Sequence, residues 1–299
     1  MIDVLGIGGA AVDDIVVIEK FPQHEQKTPI CERHRLCGGL AATALVAAAK
    51  LGAQATYAAT VGEDSLSDFV LEELQRQGVC TRHCVRDASV GVVYAIVMVD
   101  RHTGGRTILA DSAAMRGPSD SYPSADLIRG ARVLLVDRFG IPGMIRAARI
   151  AREAGIPVVA DIERTTWPRL DELLALVDHL IVPRAFAESA TGESDPARAV
   201  RALRSSQHAC VCVTDGDRGA WFAESATVQH QPAFPVDTVD TTGCGDVFHG
   251  AYAASIAHGM SIPKAIRRAA ATAALKATGF GGQTAIPDAA AVARFMEQS

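Results

Sequence analysis

The chain has 299 residues, 48% of them hydrophobic and 21% charged, with a formal net charge of −5. That length suffices for one large α/β core or two ordinary ones, and the balance is that of a globular protein. A mildly acidic chain with 5% aromatic residues excludes wholesale electrostatic capture of DNA and a stacking platform for single strands.

The opening Met1-Ile-Asp3 carries an acid where a secretory leader carries lysines. The longest uncharged apolar stretch, Leu36 to Ala49, falls short of the roughly 20 residues a membrane helix needs. The expectation is a cytoplasmic protein with neither a membrane nor a nucleic-acid partner. Cysteines stand at 31, 37, 80, 84, 210, 212 and 244 without a Cys-x-x-Cys pair, which predicts reduced structural thiols.

In chain order, Asp3 to Ile7 predicts a first strand, and Leu40 to Leu51, closed by Gly52, an amphipathic helix. Strand and helix patterns then alternate: 55–61 with 66–77, 133–136 with 143–154, 158–161 with 170–177, and 180–182 with 197–204, ending in a strand at 211–214. Repeated strand-helix units imply a mainly parallel sheet covered on both faces. Two stretches break the alternation, 15–18 with 28–35 and 90–99 with 106–109, and both read as strands without a helix between them. They predict a second, small sheet acting as a lid, with strands drawn from about 12–37 and 88–112. The run Val90 to Val99 is too apolar to lie bare and must cover a ligand, the main sheet or a second subunit. From about Gly243 the chain reads as helix, chiefly 245–258 and 262–278.

Where the extended stretch meets the first of these helices, the run Asp240-Thr-Thr-Gly-Cys-Gly-Asp246 has the layout of an anion site. Gly243 and Gly245 allow close approach, and successive N–H groups at a helix start converge on negative charge. Asp246 on the first turn could take the proton from an attacking hydroxyl. The plainer alternative has Asp240 and Thr242 capping the helix while Asp246 complements its dipole. Spacing leaves both open. His249, one turn on, reads as a packed or capping histidine.

Asp240 to Asp246 closely resembles the signature of the ribokinase/PfkB carbohydrate-kinase family, usually DTxGAGD. The resemblance extends along nearly the whole chain, through Gly38-Gly39-Leu-Ala-Ala-Thr43, Val61-Gly-Glu-Asp64, Thr214-Asp-Gly216 and Gly281 to Pro287. It implies a ribokinase-like fold over 1–299, with helices on both faces of the sheet, a small β-lid and a homodimer through that lid. It also implies phosphorylation of an alcohol, a small sugar or ketose-like substrate, by ATP with Mg²⁺ and a monovalent cation such as K⁺.

By the same resemblance Asp246 is the base, and Gly243, Cys244 and Gly245 form the anion hole. Asp13, Gly38, Gly39, Thr43 and Arg138 contact substrate, with Asp14 able to serve in place of Asp13. Thr214, Gly216 and Gly219 lie beside the nucleotide. The chain also departs from the pattern. Thr43 replaces an Asn, Cys244 replaces an Ala, and the Asn-Glu-x-Glu element expected near Val182 to Glu188 is missing. No metal ligand is therefore assigned. Within the family the later segments look most like sulfofructose kinase and its relatives, although the expected arginine falls one position from Arg138 and Ala110 stands in place of an Asn.

Three rivals bear comparison. Gly6-Ile-Gly8-Gly9-Ala-Ala11 resembles a dinucleotide fingerprint, but the β-rich residues 12–18 follow it where a helix should open. A nucleoside kinase of the same family would use the same base and want an aromatic lid contact, for which Tyr94 is the sole candidate. A ligand-binding pseudokinase would fit the missing acidic element and is opposed by the intact Asp246 and its glycines. Cys244, at a helix start, is expected to have a lowered thiol pKa.

Overall fold

Short Val/Ile/Leu runs separated by Ala-rich helices build an eight-stranded sheet with helices on both faces; the computed structural model describes residues 1–298. In chain order the first elements are β1 (Ile2–Ile7), β2 (Ala11–Ile18), β3 (Ile30–Gly38), α1 (Leu40–Lys50), β4 (Ala55–Tyr57) and β5 (Thr60–Val61). They are followed by α2 (Ser65–Arg76), β6 (Val85–Arg86), β7 (Val93–Asp100), β8 (Arg106–Asp111), α3 (Ala125–Arg129) and β9 (Ala131–Val136). The middle of the chain supplies α4 (Ile141–Glu153), β10 (Val158–Asp161), α5 (Leu170–Leu174), β11 (His179–Pro183), α6 (Arg184–Thr191) and α7 (Pro196–Leu203). Last come β12 (Cys210–Thr214), β13 (Ala220–Ala223), β14 (Gln229–Gln231), α8 (Cys244–Ala257), α9 (Ile262–Ala277) and α10 (Ala289–Glu297).

The large sheet runs β14-β13-β12-β11-β10-β9-β1-β4. Its members from β4 to β12 pair in parallel, and β13 and β14 close one edge antiparallel. Side chains alternate between two cores, as a strand's period of two requires. On β9, Val133 and Leu135 join α1, α8 and α9, whereas Leu134 and Val136 join α4 to α7. The small sheet, β3-β2-β7-β8, comes from the two stretches expected to form it. On its outer strand β8 every residue is exposed, and β7 is half-buried.

β2 follows directly on the Gly8-Gly9 turn, which removes the dinucleotide-fingerprint reading. The antiparallel edge, the helices α3, α6 and α10, and the break of 55–61 into β4 and β5 lie beyond the sequence expectation. α6 begins at Arg184 immediately after β11, with Pro183 alone at the join.

Helix α8 positions the site. It lies against α1 and α9, and at Gly250 the approach is so close that an added Cβ would stand 1.8 Å from the carbonyl oxygen of Ala44. Only glycine permits that spacing. The first turn of α8 is thereby held at the C-terminal ends of β9, β10 and β11, where open parallel sheets gather ligands.

Candidate active site

Adjacent residues of a strand face opposite sides, and β2 uses this to separate two neighbouring acids. Asp14 accepts from Arg35 at 2.7 and 2.6 Å and from the Tyr94 hydroxyl at 2.9 Å. Its carboxyl is held below its ordinary range, with the Arg35 hydrogen bond as the first cause. Asp13 has no protein hydrogen-bond partner among the described residues, and its Oδ2 would lie 2.5 Å from a Cβ on Gly38. Burial, and after it the charge of Asp14, pushes the Asp13 carboxyl up to about 6. Of the two acids, only Asp13 is free to accept from a ligand.

Gly39 precedes α1, and its carbonyl accepts the Thr43 N–H at 2.9 Å. Thr43 is buried, and its hydroxyl accepts from Gln283 at 3.1 Å. Thr43 therefore braces the loop after α9 and presents no free surface. Beneath this end Asp137 closes the floor, accepting from the Gly9 N–H at 2.6 Å and the Phe139 N–H at 2.8 Å. Burial pushes its carboxyl up to about 6 despite those two donors.

At the start of α8, Gly243 is left-handed, with φ 76°, and makes no side-chain cap. Asp240 and Thr242 therefore do not cap the helix. The Asp240 carboxylate accepts instead from Thr242, from the Gly281 N–H and from Arg106 of the lid. Among the described residues no protein acceptor meets the N–H groups of Gly243, Gly245 or Asp246, while the Cys244 N–H is taken by the carbonyl of Thr241 at 3.2 Å. The open donors are thus Gly243, Gly245 and Asp246. Free N–H groups at a helix start are the physical ingredients of an anion hole.

The Cys244 thiol departs from the expectation. Its Sγ lies 3.6 Å from the Ala273 carbonyl, and burial pushes its pKa up, Lys276 opposing and Asp240 and Asp246 adding to the rise. Desolvation outweighs the helix dipole here. All seven cysteines are free. Asp246 is partly buried without a protein hydrogen bond, and burial followed by the charge of Asp161 pushes it well above the carboxylate range. A carboxyl so raised is a stronger base when ionised than an exposed aspartate.

Beside this turn opens a cleft of about 480 Å³ lined by Thr214, Gly216, Gly219, Phe234, Cys244 and Gly245, among others. Its far wall is the alanine face of α9. A flat apolar slot ending at open N–H groups fits a heterocycle followed by phosphates. Arg138 lies two residues beyond β9, with its guanidinium 4.3 Å from the Phe139 ring centre and 5.5 Å from that of Trp167, and Nε donates to Glu163 at 3.3 Å.

Two residues at the turn went unsingled in the sequence. Lys276 is fully buried, and Nζ donates to the Asp240 carbonyl at 2.8 Å. Burial lowers its pKa, with Cys244, Asp240 and Asp246 opposing. A lysine on the small-residue face of α9 is the signal that could have found it. Arg106 opens the exposed strand β8 and reaches the turn from across the molecule. Nothing local in the sequence announces that contact.

Among the described residues no group of three or more His, Cys, Asp or Glu is placed to hold a metal ion. Where the acidic element was expected stands Arg184, with NH1 3.9 Å from Asp215. These residues do not fit a resident Mg²⁺. Among the described residues no helix is long and apolar enough to cross a membrane.

An apolar cleft, an open carboxylate and free helix-start N–H groups define the class as a phosphotransferase acting on small molecules. Residues 2–289 match the profile described as pfkB family carbohydrate kinase, and the chain belongs to that family of ATP-dependent sugar kinases. It is 26% identical to the ribokinase of Haemophilus influenzae over 306 residues, covering 98% of each chain. Identity to the ribokinase of Arabidopsis thaliana is 28% over 309 residues, covering 98% of this chain and 80% of that one. A solved structure of Arabidopsis thaliana ribokinase complexed with ribose and ATP superposes with a TM-score of 0.87 at 24% identity, covering 100% of both chains.

Proposed function

We propose that the protein transfers the γ-phosphoryl group of ATP to a hydroxyl of a neutral sugar, with Asp246 as general base. The observation that carries this reading is the pair of unengaged carboxylates, Asp13 on the lid strand and Asp246 at the helix start, each without a protein hydrogen bond. Vicinal sugar hydroxyls donate well to such a carboxylate as Asp13. Asp246 then removes the proton of the attacking hydroxyl, and the N–H groups of Gly243, Gly245 and Asp246 meet the charge on the phosphoryl oxygens. Mg²⁺ would come with ATP rather than from a protein site, and would supply positive charge to the phosphates. Lys276 places a positive charge behind the same turn, which supports independence from an added monovalent cation.

The names of the similar ribokinases make ribose the first sugar to test. A sulfonate would want an unengaged arginine, and Arg138 is committed to Glu163 and two rings. A nucleobase would want the Tyr94 ring, and Tyr94 lies with Asp14 on the face of the small sheet opposite Asp13. Both facts favour a neutral sugar. Ile108 and Leu109 on β8 are 60% and 56% exposed, which supports pairing of two lids in a homodimer.

The test is phosphate transfer from MgATP to ribose, other pentoses, ketoses, a sugar sulfonate and nucleosides in parallel. Highest kcat/KM on a neutral sugar supports the reading. Preference for the sulfonate or a nucleoside overturns the substrate class, and ATP turnover with none of them overturns the assignment.

A further inference from the structure

Below Asp246 lies a second acid that phosphoryl transfer does not use. Asp161, the last residue of β10, is 4% exposed, and its Oδ2 has no hydrogen-bond partner. The nearest counterpart is the ring of His249, whose Nδ1 stands 3.3 Å from that oxygen. His249 sits one turn beyond Asp246 on α8 and is also 4% exposed.

The surroundings of the ring count its protons. Nδ1 is 2.8 Å from the carbonyl oxygen of Gly245, and Nε2 is 3.0 Å from that of Ile181 on β11. Both oxygens can only accept. A neutral imidazole has one N–H and would turn a lone pair on one of them. Two arrangements give Asp161 a counterpart, and the first of them also satisfies both carbonyls. Either the ring carries both protons opposite an ionised Asp161, or Asp161 carries a proton directed at Nδ1. They differ in where one proton resides and share the same total charge, zero.

We propose that Asp161 and His249 hold one proton in common as a net-neutral couple, which spares Asp246 a second anion and fixes the first turn of α8 against β10 and β11. This rests on Asp246 being the base. His249 is a positioning residue, touching Asp161 and two backbone carbonyls.

Electrostatics explain why such a couple belongs here. Two neighbouring carboxylates in a buried site cannot both ionise cheaply. Burial and then Asp161 push Asp246 upward, and His249 opposes them. Burial holds the His249 ring below its ordinary value, opposed by the Ile181 and Gly245 carbonyls and then by Asp246. The other charged groups facing the couple are already engaged. Glu163 pairs with Arg138, Asp137 takes two backbone N–H groups, and Lys276 from α9 binds the Asp240 carbonyl. Such sites titrate as a unit.

The experiment has two independent arms. In the first, kcat is followed against pH for the wild type, His249→Gln, Asp161→Asn and the double variant. His249→Gln leaves Asp161 facing Asp246, so its acidic limb is expected to move up by about one pH unit or more. The double variant is expected to return that limb to within about 0.3 unit of wild type, a non-additivity that mere packing damage would not produce. In the second arm, the ring nitrogens of His249 are followed by ¹⁵N resonance in the wild type, Asp161→Asn and Asp246→Asn. A ring titration that moves to lower pH in Asp161→Asn than in the wild type supports the couple. A limb unmoved in a folded His249→Gln, or ring titration identical with and without Asp161, overturns it. If Asp246→Asn keeps normal kcat, the base assignment fails while the ring titration still decides the couple.

Discussion

Arg106, on the outer strand of the lid, donates to the carboxylate of Asp240, 134 residues later at the root of the glycine turn. The same guanidinium reaches the Thr242 hydroxyl. The small sheet is thereby tied to the turn with the open N–H groups, and Asp13 stands on β2 of that same sheet. The pair is solvent-exposed on the Arg106 side, so it contributes at most about 1 kcal/mol to folding. Arg106→Ala is expected to leave the melting temperature nearly unchanged and to raise KM for the sugar by roughly 5-fold, the equivalent of such a contact. Steady-state kinetics beside a thermal melt would check this, and an unchanged KM would show that the contact does not govern closure.

Asp246→Asn keeps the shape of the first turn of α8 and removes the proton acceptor. Because the N–H groups of Gly243 and Gly245 remain, binding of both substrates should persist. The expected outcome is a fall in kcat of about 10² to 10⁴ with KM values within a few-fold of wild type. Near-normal kcat would mean that another group takes the proton.

Much of this arrangement is legible in the sequence, and the reason is local grammar. The strand at 158–161 and the helix starting near Gly245 declare themselves by period, and the run from Asp240 to Asp246 declares an anion site by glycines and acids at short spacing. What the sequence left open was decided by contacts between distant segments. Asp13 and Asp14 are equivalent neighbours until Arg35 and Tyr94, from two other lid strands, claim Asp14. Asp240 looked like a helix cap until Arg106 and Gly281 proved to be its partners. For Cys244 the helix dipole is visible in sequence and burial against α9 is not.

Lys276→Met replaces a fully buried ammonium by an apolar chain of similar length. Burying a charge with one carbonyl partner is costly, so folding stability should be maintained or rise slightly. The positive charge behind the turn is lost, and kcat should fall by roughly 10-fold, less than for loss of a donor touching the oxyanion. With Lys276 in place, turnover should be equal in potassium and choline chloride. An enzyme inactive without potassium would show that Lys276 does not supply this charge.

Asp13 links binding to stability through its raised carboxyl, about 6 in the folded chain against 3.8 for an ordinary aspartate. Between those values the folded state binds more protons than the unfolded state, so the contribution of Asp13 to stability declines as pH rises from about 4 to about 6. Above that window the ionised carboxylate is a net cost to the empty protein. Asp13→Asn is therefore expected to raise the melting temperature at pH 8 and to change it little at pH 4, while KM for the sugar rises by at least about 10-fold. In the wild type, kcat/KM for the sugar should fall as pH drops below about 6, because a protonated Asp13 accepts fewer hydrogen bonds from vicinal hydroxyls. Melting curves of the two proteins at both pH values are the check. A variant destabilised at pH 8 would show that Asp13 is a structural acid whose partner forms only in the folded chain, and would remove it from the sugar site.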